Sequence, residues 1–132
     1  MLMDFETAIE ELSFHCGSHP DIEDPRWAAG FLQTLRPYRG QLDSASMDHV
    51  VQCVDAIADH LKTSPKLNRS AMNSLWGIMT YSRAWALHPD GMLQRNNLIA
   101  PDDLSTLSDW LDDLAERVTF MLDGGHDPKI DT

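Results

Sequence analysis

The chain has 132 residues, 42% of them hydrophobic, and it carries a formal net charge of −11 at pH 7. This length suffices for one domain with a buried core, and two cysteines do not form a disulfide framework. The halves 1–66 and 67–132 hold 11 and 10 of the 21 carboxylates. A field this negative repels phosphate backbones, which argues against nucleic-acid binding.

The start of the chain and its hydropathy pattern indicate whether a signal peptide or a membrane span is to be expected. The opening MLMDFETAIEEL lacks the basic end and the apolar stretch of a signal peptide. The longest nearly apolar run, WAAGFL, is far too short to cross a bilayer. We therefore expect a soluble cytoplasmic protein that has no membrane partner.

Five segments have the three- and four-residue hydrophobic spacing of helices. The first extends over about 4–15 and ends at Gly17, a natural left-handed stop. The second begins with Asp24 as a cap and Pro25 in the first turn, and it ends at Pro37. Together these signals predict two helices in the first third of the chain.

The third predicted helix follows the sequence LDSAS, in which Ser44 or Ser46 can act as the cap, and it ends before Pro65. The fourth covers about 70–87 and is apolar on nearly all sides, which is typical of a helix enclosed by others.

The fifth predicted helix begins at Pro101 and ends at the Gly124-Gly125 pair. No segment has a convincing strand pattern. We therefore predict an all-α fold, an antiparallel bundle of about five helices with the fourth helix at its centre. A single domain should cover 1–125, followed by a flexible tail at 126–132.

Three tryptophans lie on the fourth and fifth predicted helices. Because their aromatic area is large, we expect them in or near the core. They are Trp76, Trp85 and Trp110.

The tripeptide His-Pro-Asp occurs twice, at 19–21 and at 88–90. Proline cannot continue a helix, so both copies are interpreted as helix terminators. The connection that begins with the second copy, 88–100, is long for a helical bundle. Its ends are hydrophobic and its middle is polar, which predicts a displayed recognition loop or, alternatively, an ordered connection whose asparagines satisfy the turn backbone. The candidate binding residues of this loop are Gln94, Arg95, Asn96 and Asn97.

Histidine and cysteine cluster in the stretch FHCGSHPD, and His49 and Cys53 are four residues apart on the third helix. A glycine breaks the helix within the first cluster, and the chain has neither a C-x-x-C nor an H-E-x-x-H spacing. Nucleotide-binding and hydrolase motifs are also absent from the sequence. We therefore predict no metal and no cofactor, and we assign no catalytic residue.

The fifth helix carries a stripe of carboxylates opposite its leucine seam. Asp102, Asp109, Asp113 and Glu116 follow at spacings of seven, four and three. Such a stripe is either a solvated face or a docking surface for a positively charged protein.

These features favour a non-enzymatic protein-interaction module, most specifically a small acidic binder or inhibitor of a basic protein partner. Bacterial immunity proteins against toxins often have this size and charge, which is a similarity of type only. The motivating observations are the net charge, the absence of catalytic motifs and the displayed loop.

Two other hypotheses remain open. The first is a small-ligand-binding protein or enzyme with an interhelical pocket rimmed by Arg83, His88, Asp90 and Arg95. The second is a homo-oligomer that associates through a remaining apolar face of the fourth helix.

Overall fold

The computed structural model of the protein describes residues 3–124, and within this range the chain is helical with short connections. The predicted all-α class is confirmed, since the described residues contain only an isolated β-bridge between Leu35 and Tyr38 and no strand. The predicted tail at 126–132 lies outside the described residues. The helices are α1 (Phe5–Cys16), α2 (Pro25–Ala28), α3 (Phe31–Leu35), α4 (Ser44–Leu61), α5 (Arg69–Ser82), α6 (Met92–Arg95) and α7 (Pro101–Leu122), with a π-helical turn at Arg83–Leu87.

Local capping explains where the first helix begins and ends. The Asp4 carboxylate accepts a hydrogen bond from the backbone N–H of Thr7 at 2.7 Å, so it satisfies a donor that has no partner within the helix. At the other end, Gly17 has a φ of 73° and its N–H donates to the carbonyl of Phe14. A left-handed residue is best supplied by glycine, as the sequence predicted.

The predicted second helix is divided into α2 and α3 at Gly30. At this point the backbone passes so close to α1 that a Cβ on Gly30 would lie 2.3 Å from the carbonyl oxygen of Phe14. The Gln33 side chain sits beside this crossing and donates to the carbonyls of Phe14 and Trp27. The periodicity of this segment was visible in the sequence, whereas the contact that breaks it is not local.

The predicted fourth helix is also modified at its end. It is α-helical only to Ser82, and the N–H of His88 then donates to the carbonyl of Arg83 at 2.8 Å, five residues back. The carbonyls of Ala86 and Leu87 have no helical partners at this end. The Gln94 side chain donates to them at 2.9 and 2.7 Å. The connection 88–100 therefore contains a short helix and a side-chain cap.

Helix α1 packs against α2, α3, α4 and α5, and α4 packs against α7. Helices α1 and α4 run antiparallel, because His15 contacts His49 near one end while Phe5 stacks on His60 near the other. These contacts do not confirm the expected central position of segment 70–87, since α5 packs on α1 and α3 and has one exposed face.

The expectation that Trp76 is a core residue is wrong, because 71% of its surface is exposed. Trp85 and Trp110 are half-buried against the core, as expected. The sequence of segment 70–87 shows that this helix has more than one apolar face. It does not show whether other helices of the chain bury each of these faces. The second apolar face of α5 is therefore the first feature to consider as a functional surface.

Candidate functional site

An open groove lies between α5 and α7. The two helices form opposite walls, yet they have little direct contact, because α5 packs on α1 and α3 whereas α7 packs on α4. The groove has a volume of about 880 Å³. Its α5 wall extends from Arg69 to Arg83, which at 1.5 Å per residue is roughly 21 Å or four helical turns.

The floor and edges of the groove are predominantly apolar. Leu75 and Val118 form a buried floor. Met72 and Met79 are half-buried and lie two helical turns apart along the α5 wall. Trp76 stands at the edge and is the most exposed of the large hydrophobic residues in 3–124. Exposed apolar surface of this kind, lined by adaptable methionines, is typical of a site that receives another apolar surface.

Helical spacing places these residues on one side of each helix. On α5, positions 69, 73, 76, 80 and 83 follow at spacings of four and three and are all exposed. On α7, Ala115, Thr119 and Leu122 follow in the same way, and Leu122 is 51% exposed. The sequence signal for this site was the second apolar face of the segment 70–87.

One end of the groove is bridged by an ion pair. The guanidinium of Arg83 lies 3.4 Å from the carboxylate of Asp112, and both side chains are well exposed. Arg83 was predicted at the rim of a ligand pocket with His88, Asp90 and Arg95, but it lines this groove without those three residues. An exposed pair of this length contributes little to stability.

The predicted carboxylate stripe of α7 lies on exposed positions. Asp109, Asp113 and Glu116 are all exposed. Asp113 accepts a hydrogen bond of 2.8 Å from Arg117, which also lies 3.4 Å from Asp55 of α4. The hydrogen bond to Asp113 is the main reason that the pKa of Arg117 is raised. Helix α7 as a whole has six carboxylates and one arginine, whereas the charged side chains that line the groove are Arg69 and Arg83.

The predicted loop tip is only partly displayed. Gln94 is turned inward as the cap of the π-helical turn, so it is occupied by two backbone carbonyls. Arg95, Asn96 and Asn97 are exposed, and Asn97 has a φ of 55°, a left-handed conformation that asparagine tolerates. Leu93 is fully buried and anchors the connection.

The residues of the alternative ligand pocket lie at different places. His88 Nδ1 accepts a hydrogen bond of 3.1 Å from the N–H of Asp90, and both residues are exposed in this turn. Arg95 is exposed on α6, whereas Arg83 reaches toward Asp112. The first His-Pro-Asp has the same geometry, with His19 Nδ1 accepting from the N–H at position 21 at 3.0 Å. Both copies are thus turns stabilised by their own histidine.

Two histidines, one from each of the two histidine- and cysteine-containing segments noted in the sequence, join three helices. Nε2 of His15 and Nδ1 of His49 are 2.8 Å apart, and the N–H of Phe31 donates to Nδ1 of His15 at 3.0 Å. His15 is 6% exposed. Burial, and then the neighbouring His49, lowers the pKa of His15 to about 4, against a smaller opposite effect of Asp43. The two histidines are 34 residues apart, so no local spacing could reveal the pair.

Beside this pair, Arg26 fixes α2 to α1. Its guanidinium donates to Asp24, Glu10 and Glu11 at 2.8 to 2.9 Å and stacks over the ring of Phe14 at 4.4 Å. The carboxylate of Asp24 is the main reason that the pKa of Arg26 is raised. This end of the molecule is therefore held by polar contacts that are satisfied within the chain.

The described residues offer no metal centre. In the range 3–124 there is no group of three or more histidine, cysteine or carboxylate side chains arranged to hold an ion. The same range contains no helix that is both long and apolar enough to cross a membrane.

Comparisons with known proteins do not supply a family. No protein-family model, no curated protein and no solved structure matches this chain.

Proposed function

We propose that the protein is a non-enzymatic interaction module that receives an amphipathic helix of a basic protein partner in the groove between α5 and α7. The observation that carries this proposal is the apolar groove with Trp76 71% exposed at its edge. A helix that lays its apolar face into such a groove is a recurring mode of peptide recognition.

The dimensions of the groove support a helix as the occupant. A wall of roughly 21 Å corresponds to about four turns of a partner helix. The walls come from two helices that have little direct contact with each other, so an inserted helix would bury the exposed apolar side chains of both. The finer prediction, an antiparallel bundle of about five helices of this chain with the segment 70–87 at its centre, stays a prediction, and an inserted partner helix would cover the second apolar face of that segment.

The charge of the protein supports a basic partner. The chain carries −11 overall, and α7, which forms one wall, carries six carboxylates against one arginine. Asp109, Asp113 and Glu116 are exposed on α7 outside the groove lining, so they would act through the negative field of the whole protein and not through contacts inside the groove. Complementary charge speeds association and selects against acidic competitors. The most specific version is an acidic binder or inhibitor, similar in type to bacterial immunity proteins.

Synthetic peptides provide a direct test. A 16-residue helix-forming peptide would carry leucines on one face and lysines elsewhere, and a scrambled peptide of the same composition would lack the apolar stripe. Insertion of the first peptide should shift the fluorescence of Trp76 to shorter wavelength, because the indole leaves water. A glutamate-for-lysine version should bind at least about tenfold more weakly at low salt.

Two matched variants locate the binding site. Trp76→Glu places a charge in the groove, whereas Phe120→Glu places one on α7 outside it, at a residue that is 40% exposed. Calorimetry should show that Trp76→Glu abolishes binding of the striped lysine peptide and that Phe120→Glu preserves it. Equal affinity for the striped and scrambled peptides would reduce the interaction to nonspecific charge attraction and contradict the proposal.

A second copy of this chain is the competing occupant. Sedimentation across a concentration range distinguishes the two, because self-association through the groove would give a dimer that Trp76→Glu dissociates. Such a dimer would replace the basic partner helix as the occupant.

A further inference from the structure

We propose that the His15–His49 pair is an acid-sensitive latch, which holds α3 against α1 and α4 at neutral pH and releases it when a proton enters the pair. The latch consists of the two imidazoles and the backbone N–H of Phe31 at the start of α3.

The directions of the hydrogen bonds leave no position for an additional proton. The Phe31 N–H can only donate, so Nδ1 of His15 must accept and carries no hydrogen. His15 is then the Nε2–H tautomer and donates to Nδ1 of His49. A proton added to Nδ1 of either ring would place two N–H groups against each other, which breaks one of the two bonds.

The charged groups around the pair do not provide an alternative partner. The small cavity beside it, of about 290 Å³, is lined by Glu11 of α1, Arg26 of α2 and Asp43 of α4. Arg26 already holds Glu11, and Asp43 caps α4 by accepting from the N–H of Ser46 at 3.1 Å. From α3 the pair is faced by the Phe31 N–H, whose position at a helix N-terminus disfavours a cation. The lowered pKa of His15 agrees with this arrangement.

Release of α3 would reach the helices that form the groove. The ring of Phe31 packs against the ring of Trp110 on α7, with centroids 4.8 Å apart, and α3 also packs on α5. Acid would thus remove a support from both walls and weaken binding of an inserted helix. This consequence rests on the proposed function, whereas the latch itself does not.

Amide hydrogen exchange of Phe31, followed by nuclear magnetic resonance without any peptide, tests the latch. We expect the protection of this amide to fall on the order of 100-fold between about pH 7 and pH 4, while amides in the middle of α7 remain protected. His15→Asn offers a carboxamide oxygen near the position of Nδ1, so it keeps an acceptor for Phe31 without titrating. In this variant the protection should be nearly independent of pH over the same range.

Two further variants and one measurement on the wild-type protein complete the test. His49→Asn retains an acceptor for His15 but removes the imidazole that helps to lower the pKa of His15, so the loss of protection should be smaller and complete at a higher pH. His88→Asn removes an exposed histidine of a distant turn and should change nothing. If His15→Asn does not fold, the ring nitrogen shifts of the wild-type protein decide, since the latch requires His15 to be the Nε2–H tautomer at neutral pH.

The latch is overturned by any of three results: a Phe31 amide that stays protected down to pH 4, an unchanged pH profile in His15→Asn, or the Nδ1–H tautomer at His15. Peptide binding that fails at neutral pH would contradict the proposed function and leave these results unaffected.

Discussion

Two regions of this molecule differ in the contacts that their side chains make within the chain. Around α1, α2, α3 and the start of α4, charged and imidazole side chains are paired within the chain, as in the bonds of Arg26 and of the His15–His49 pair, although Nε1 of Trp27 is buried without a hydrogen-bond partner. Between α5 and α7, a tryptophan and the leucine at the end of α7 remain in water. Since buried apolar area stabilises a fold, a chain that leaves such residues exposed forgoes stability at that surface. Helices α5 and α7 thus contribute to the core on one side and expose apolar side chains on the other.

The largest expected effect separates two phenylalanines. Phe31 is 1% exposed and packs on Trp110, so Phe31→Ala should lower the free energy of unfolding by about 3 to 5 kcal/mol. Phe120 is 40% exposed on α7, and Phe120→Ala should cost less than about 1 kcal/mol. Urea denaturation of both variants measures the comparison, and similar losses would mean that the two regions do not differ as described.

The next effect is the dependence of stability on pH. Because the folded pKa of His15 is about 4 and the ordinary value is 6.5, the unfolded chain binds more protons between these values. The stabilisation is therefore complete above about pH 6.5 and decreases as the pH falls toward 4, by roughly 3 kcal/mol for this residue. Urea midpoints at several pH values in wild type and His15→Asn isolate this contribution, and parallel curves for the two proteins would contradict it.

A smaller effect should follow from the inward-turned glutamine of the connection. Gln94→Ala leaves the carbonyls of Ala86 and Leu87 without their cap, and we expect a loss of about 1 to 2 kcal/mol. Asn96→Ala changes an exposed neighbour and should be close to neutral. Thermal unfolding of both variants would refute the capping role of Gln94 if the two melting temperatures were equal.

The smallest effect on stability belongs to the groove. Arg83→Ala removes an exposed ion pair at 3.4 Å from Asp112, and it should change the free energy of unfolding by less than about 0.5 kcal/mol. Trp76→Ser, at a residue 71% exposed, should be similarly mild. A loss of more than about 2 kcal/mol in Trp76→Ser would show that the tryptophan supports the fold.

The sequence predicted what depends on neighbours along the chain. Gly17 and Asp24 act at helix ends as their residue types indicated, and the apolar spacing located α4 and α7. The predicted cap of α4, Ser44 or Ser46, is wrong, because Asp43 caps this helix. The break at Gly30 was not predictable, because it depends on the carbonyl of Phe14 sixteen residues away. The inward position of Gln94 likewise depends on the π-helical turn that it caps.

For the candidate site, the sequence predicted which helix faces are apolar or acidic, but not where these faces lie in the fold. It predicted a second apolar face on the segment 70–87 and an acidic face on α7; the first lines the groove, whereas Asp109, Asp113 and Glu116 are exposed outside its lining. It did not predict that Trp76 would be exposed, because hydrophobicity alone does not show whether another helix covers a residue. The link from His49 through His15 to Phe31 required three separate helices to meet.

Methionine methyl resonances test the central claim most directly. Met72 and Met79 line the groove, whereas Met47 and Met121 are buried in the core at 6% and 2% exposure. In protein labelled at the methionine methyls, the striped lysine peptide should shift Met72 and Met79 and leave Met47 and Met121 nearly unchanged. The scrambled peptide should shift none of the four. Shifts absent from Met72 and Met79, or shared equally with the two core methionines, would contradict a helix-binding groove between α5 and α7.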